Sequence, residues 1–338
     1  MYLTFYGLKD KPFSATPDPR FLYLTPGHRE ALAHLVYGVQ ERVGFLVLTG
    51  EVGTGKTTLL HALQQRLDGT TAFAFLVNSG LTFDGLLEFM FEDFGIPSVG
   101  ESRAQRIIAI RRFMMERQRA GENVVIALDE AQNLDLETLE QIRLLSNFES
   151  STDKLVQILI VGQPELAGKL ARPELRQLKQ RIALRAMIAP LSRPETREYI
   201  RRRLKVAGAH DVGLFSERAV ERITAYAGGV PRVVNTVCEH CLLIGYAEQK
   251  RRLDLDIVER AVSYLENGVG GHRSRVRRAP RWAWLPRRRW ALAALAPLLL
   301  LSLAAVTPVR REAFESVSHL VGPLVTTLAR TARSLVTP

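Results

Sequence analysis

Apolar runs of strand length recur through the first half of the chain. Phe45-Leu46-Val47-Leu48-Thr49 is one; Ala72–Val77, Asn123–Leu128 and Leu155–Val161 follow. Stretches with helical spacing of apolar positions separate them. His28 to about Glu41 puts Leu32, Leu35, Val36 and Val39 on one face. Lys56 to about Arg66, Phe83–Phe94, Ser102–Arg119 and Leu136–Ser146 read as further helices, with Gly121 stopping the fourth of these five. Ala186–Ile188 predicts a short fifth strand. Strands alternating with helices predict an α/β class, a parallel sheet with helices on both faces.

The pattern changes at about Arg193. Helices are predicted at Arg193–Val206, Ser216–Ala227, Pro231–Ala247 and Asp256–Leu265, with no strand between them. These make a separate, small helical domain. Gly228-Gly229-Val230-Pro231 is a sharp junction within it, and Pro231 suits a first helical turn. Residues 1–27 read as irregular, because Pro12, Pro17 and Pro19 rule out a long helix.

Trp290–Val309 is different again: twenty residues without a charge. At ~1.5 Å per residue such a helix spans about 30 Å, the thickness of a bilayer core. Trp282, Trp284 and Trp290 fall where an aromatic belt would lie. Pro297 is tolerated in a membrane helix. The tail from Arg310 to Pro338 has an amphipathic flavour (Leu320, Val321, Leu324, Val325, Leu328) and is short for a domain.

Charge sharpens this picture. The 338 residues carry a formal +11, which suggests nucleic acid until it is located. Eight arginines and no acid lie between Asn267 and Trp290. Residues 1–266 hold 34 basic and 33 acidic side chains, so the body is nearly neutral. The arginine excess before the span orients the body to the cytoplasm and meets anionic lipid. A local basic stripe, Arg103, Arg106, Arg111 and Arg112, keeps DNA as a rival partner. Two cysteines, and no apolar run of signal-peptide length in the first thirty residues, point to a reducing compartment.

The chemistry begins at Gly50-Glu51-Val52-Gly53-Thr54-Gly55-Lys56-Thr57-Thr58, between a predicted strand and a predicted helix. Glycines let such a loop fold so that successive N–H groups face one anion, and the helix N-terminus adds partial positive charge. Lys56 is placed to reach β- and γ-phosphates, and the Thr57 hydroxyl to bind Mg²⁺. Val124–Leu128 ends in Asp129-Glu130, 73 residues after Lys56. Asp129 is expected to hold the metal, directly or through water, and Glu130 to polarise the attacking water.

Gln163 ends the next strand and is a candidate for positioning that water. Among Arg176, Arg181 and Arg185, Arg181 is the candidate arginine finger for a neighbour's γ-phosphate. Arg232, just after the Gly-Gly junction, is a candidate to sense the nucleotide of its own subunit. Cys238 and Cys241, with no second ligand pair, read as helix-core packing. His28 and His34 read as packing or surface histidines.

Phosphate loop, Asp129-Glu130, Gln163, Arg181 and the Gly-Gly-x-Pro-Arg junction together resemble an AAA+ ATPase. Tyr2, Phe5-Tyr6-Gly7-Leu8, Lys11-Pro12-Phe13, Pro17-Asp18-Pro19 and Phe21-Leu22-Tyr23 resemble the general secretion pathway ATPase family, the GspA/ExeA type, as do Val161-Gly162-Gln163-Pro164-Glu165-Leu166 and Gln180-Arg181-Ile182. The resemblance covers about residues 1–266. It implies ATP and Mg²⁺ as ligands, a homo-oligomeric ring with six members as a candidate size, and a cytoplasmic ATPase module on one helix in the bacterial inner membrane. In the family a larger periplasmic part helps seat an outer-membrane secretin, a pattern the short tail here departs from; a related branch that serves exopolysaccharide and protein-sorting loci is a candidate home for this chain. A more distant branch holds transposition helper ATPases.

The expected organisation is residues 1–27 packing on the nucleotide site, 28–190 an AAA+ core, 191–266 a helical lid, 267–289 an arginine-rich juxtamembrane linker, 290–309 a transmembrane helix and 310–338 a short periplasmic tail. A low-turnover nucleotide switch is the second rival to an ATPase.

Overall fold

A computed structural model describes residues 1–14, 18–67, 69–77, 82–97, 102–149 and 154–267. The arginine-rich linker beyond Asn267, the apolar span and the tail lie outside the described residues. No helix among the described residues is long and apolar enough to cross a membrane.

Five strands, β1 (Phe45–Gly50), β2 (Thr71–Leu76), β3 (Asn123–Leu128), β4 (Gln157–Gly162) and β5 (Ile182–Ile188), form one parallel sheet in the order β2-β3-β4-β1-β5. β4 therefore lies between β1 and β3. Leu48 of β1 pairs with Val161, and Leu128 of β3 pairs with Ile160. The C-terminal ends of β1, β3 and β4 thus share one edge, where ligands bind in open α/β sheets.

Helices α2 (Pro26–Gln40) and α3 (Lys56–Arg66) cover one face, joining Leu32, Leu35, Leu59 and Leu63 to Leu46 and Leu48. On the other face α4 (Phe83–Asp93), α5 (Arg103–Arg119) and α6 (Leu136–Leu145) pack Leu87, Met90, Ile110 and Leu139 against Val47, Ile126 and Ile160. Covered on both sides, β4 is buried throughout, which is why it reads as an unbroken apolar run.

β5 is longer than the sequence suggested. Its first residues alternate between half-buried and exposed, as an edge strand does, so only Ala186–Ile188 carries the apolar signature. Two short helices, α7 (Glu165–Leu170) and α8 (Arg176–Arg181), precede β5; both are too brief to show a helical period.

The helical part comprises α9 (Arg193–Val206), α10 (Glu217–Ala227), α11 (Pro231–Ala247) and α12 (Leu255–Asn267). Ser192 caps α9 in a capping box with Glu195, and Ser216 caps α10. Cys238 and Cys241 sit in this core, where burial pushes the Cys241 thiol up to about 12.

The N-terminal segment contains a short helix, α1 (Tyr2–Tyr6), ended by Gly7 in the left-handed conformation. Its side chains Tyr2, Leu8, Phe13 and Phe21 enter the core of the helical part, while Leu22 and Leu24 pack against the sheet core beside α2 and α3. Buried Arg203 of α9 ties it down. Its Nε donates to the Pro12 carbonyl, its Nη1 to the Tyr199 hydroxyl at 2.9 Å, and its guanidinium lies 4.9 Å from the Phe21 ring centre.

A phosphate loop, two carboxylates and two glutamines

The loop between β1 and α3 follows the buried strand directly. A side chain on Gly50 would meet the Ile188 carbonyl of β5 at 2.8 Å, so only glycine lets the loop leave the sheet here. Glu51 and Val52 point to solvent. Thr54 is buried, and its hydroxyl donates to the Glu51 carbonyl at 2.8 Å, closing the loop on itself. Gly53 and Gly55 both have positive φ, at 79° and 104°, as the fold-back requires. Gly55 is the N-cap of α3; Lys56, Thr57 and Thr58 form its first turn.

Lys56 is only 5% exposed, and its ammonium donates to the carbonyls of Gly50 at 2.9 Å and Glu51 at 3.2 Å. Burial lowers its pKa, and the negative charges of Glu130 and Asp129 act against that shift. The ammonium is therefore held over the loop by its carbonyls, with both acids near enough to act on its charge.

Asp129 follows β3 and is buried; its Oδ2 accepts from the Thr57 hydroxyl at 2.7 Å. These are two hard oxygen donors from different elements, converging on one point. That donor set fits Mg²⁺, which takes one or two protein oxygens alongside phosphate and water.

Glu130 adopts the left-handed conformation, φ 55°, rare for a residue with a side chain. Its carboxylate is held by two amides. Glu130 Oε2 accepts from Gln132 Nε2 at 2.6 Å and from Gln163 Nε2 at 3.0 Å. Gln132 Oε1 in turn accepts the Gln163 backbone N–H at 3.1 Å, closing a ring of hydrogen bonds between the ends of β3 and β4. Burial would raise the Glu130 pKa; the two amides and the charges of Lys56 and Arg232 outweigh it and hold the carboxyl below the usual range. Gln132 belongs to no motif in the sequence; its spacing of two from Glu130 is the signal that could have found it.

Arg232 lies at the start of α11. Its N–H donates to the Gly53 carbonyl at 3.3 Å, and a side chain on Gly53 would meet the Arg232 Cβ at 2.7 Å. The missing side chain thus admits the lid helix onto the phosphate loop. Arg181 is not brought to this site. It precedes β5, whose first residue pairs with the first residue of β1, at the sheet edge opposite the phosphate loop. There Arg181 Nη1 donates to the Ser146 hydroxyl at 2.7 Å.

His28, read from sequence as a packing or surface residue, is buried against the loop: its Nε2 lies 3.1 Å from the Thr54 carbonyl and its Nδ1 2.6 Å from the Thr25 hydroxyl. His34 is exposed on α2.

A phosphate loop on β1, an acid pair on β3, a strand inserted between them and a helical lid against the loop define an AAA+ nucleotide-binding protein. Residues 39–170 match a family model described as an AAA domain. General secretion pathway protein A of Aeromonas hydrophila is 41% identical over 254 residues, 75% of this chain. Over that stretch the chain is an AAA+ protein of the general secretion pathway protein A type; it spans 46% of that relative's length. The fold is shared with the ORC2 protein of Aeropyrum pernix (TM-score 0.61, 19% identity, 77% of this chain and 72% of that one). It is also shared with Cdc6p of Pyrobaculum aerophilum (TM-score 0.59, 19% identity, 73% and 71%).

Proposed function

We propose that this chain binds and hydrolyses ATP, and that it does so as a membrane-anchored ring serving a secretion or envelope-export machinery. The observation that carries the hydrolytic reading is the Glu130 carboxylate, held ionised by Gln132 and Gln163 beside the phosphate loop. Loop N–H groups and Lys56 hold the triphosphate. Mg²⁺ between Thr57 and Asp129 would neutralise phosphate charge. Glu130 accepts a proton from water as its oxygen attacks the γ-phosphorus in line and ADP departs. Gln163 orients the carboxylate and the water. Arg232 reports the nucleotide to the lid, whose motion against the sheet domain delivers the work.

Arg181 supports the ring. It sits away from its own phosphate loop, so a role on a γ-phosphate has to be played on a neighbouring subunit. The anchor rests on the sequence of Trp290–Val309 and its arginine flank, and the secretion role on the relative from Aeromonas hydrophila. DNA is the rival partner; in the basic stripe, Arg103 pairs with Asp84 and Arg106 with Glu88, which spends part of its charge within the fold.

Phosphate release tests the chemistry. Glu130→Gln is expected to keep MgATP binding and lose about 10²–10⁴-fold in turnover; undiminished turnover would overturn the assignment. Carbonate-washed membranes test the anchor: they should retain the full chain and release one ending at Gly268.

A further inference from the structure

His28 is buried, polar and unused by the mechanism above, yet it touches the phosphate loop. A carbonyl only accepts, so the Nε2 facing Thr54 at 3.1 Å must carry a hydrogen. In the neutral ring, Nδ1 is then an acceptor, and the Thr25 hydroxyl at 2.6 Å donates to it. The Thr25 oxygen still accepts the His28 backbone N–H at 3.2 Å, as the cap of α2. All three groups are satisfied by one arrangement, which runs in a single direction from cap to loop. Burial lowers the His28 pKa and favours that neutral ring.

The consequence lies in the Thr54–Gly55 peptide. It is trans and planar, so its C=O and N–H point in opposite directions. A carbonyl held by His28 therefore turns the Gly55 N–H to the opposite side of the peptide, away from the histidine. Gly55 has φ 104°, where the backbone has no intrinsic preference for that orientation.

We propose that His28 is a positioning residue for nucleotide binding: its Nε2–H, oriented by Thr25, fixes the Thr54–Gly55 peptide so that the Gly55 N–H faces the phosphates. This rests on reading the loop as a triphosphate cradle.

The test is MgATP affinity of the full chain, with thermal unfolding measured in the absence of nucleotide. His28→Phe keeps ring bulk and loses the donor, leaving a buried carbonyl unpaired; about tenfold weaker binding is expected. His28→Gln returns an N–H at similar reach and should bind within about twofold of the parent. Thr25→Ser keeps the orienting hydroxyl and binds like the parent, whereas Thr25→Val falls between. Parental affinity in His28→Phe, or equal loss in His28→Phe and His28→Gln, overturns the proposal. If His28→Phe does not fold, His28→Gln decides: retained affinity supports the donor role, and a tenfold loss refutes it. A parent chain that binds MgATP no better than Lys56→Ala would instead sink the cradle reading itself, and with it this proposal.

Discussion

Gly228 and Gly229 are adjacent, both at positive φ, and they predict very different costs for the same substitution. Gly228 closes α10 with φ 58°, and a side chain there would meet nothing within 4 Å. Gly229 has φ 79°, and its side chain would stand 2.0 Å from the Leu191 carbonyl oxygen and 3.0 Å from the Leu191 nitrogen. Those are backbone atoms, which no rotamer change can move aside. The same pair shares a hydrogen bond, Leu191 N–H to the Gly229 carbonyl at 2.8 Å. Gly228→Ala therefore carries the left-handed cost alone, about 1 kcal/mol. Gly229→Ala adds overpacking and a weakened hydrogen bond, for about 3–5 kcal/mol in all. At ~2–4 °C per kcal/mol for a chain of this size, the melting temperature should fall by about 3 °C for Gly228→Ala and about 10 °C or more for Gly229→Ala. The junction also seats Arg232 on Gly53, so MgATP affinity should drop in the second variant and hold in the first. Scanning calorimetry with a nucleotide titration reads both; equal effects of the two substitutions would refute the close packing of Leu191 on the junction.

Gln163→Ala removes one of the two amides that hold the Glu130 carboxyl low. With less to favour the anion, the Glu130 pKa rises, so the acid limb of the turnover profile should move to higher pH; an unmoved limb would contradict the coupling. By the same sign, the stability that Glu130 gains from these partners is present above its unfolded value and lost as pH falls through its lowered folded value. Arg181→Ala should keep MgATP binding and lose turnover, and mixing it with Lys56→Ala subunits should restore part of it, because each supplies what the other lacks. No recovery on mixing would argue against action between subunits.

The phosphate loop and acid pair were legible because their chemistry is local: one glycine-rich turn, and one strand ending in Asp129-Glu130. β3 and α9 were legible to the residue, since an unbroken apolar run and a capped amphipathic helix have sharp limits. The strand order was not, because the insertion of β4 between β1 and β3 depends on contacts far apart in sequence. β5 was shortened to its buried end, as its first half is exposed at alternate positions. The aromatic residues of the N-terminal segment announced burial but not the surface that buries them: Tyr2, Phe13 and Phe21 enter the helical part, and Leu22 and Leu24 pack on the sheet core. His28 read only as a packing or surface residue, and Gln132 offered no more than its spacing of two from Glu130; each acquires its role only when Thr54 or Gln163 arrives from another element.

The central claim is that main-chain amides and Lys56 grip a triphosphate while Asp129 and Glu130 manage its metal and water. Calorimetric titration of the full chain with MgATP, set beside Lys56→Ala, tests it most directly. Saturable binding that weakens more than about tenfold without the Lys56 ammonium is the predicted result. No binding by the parent chain in any assembly state, or equal binding by both, would contradict it.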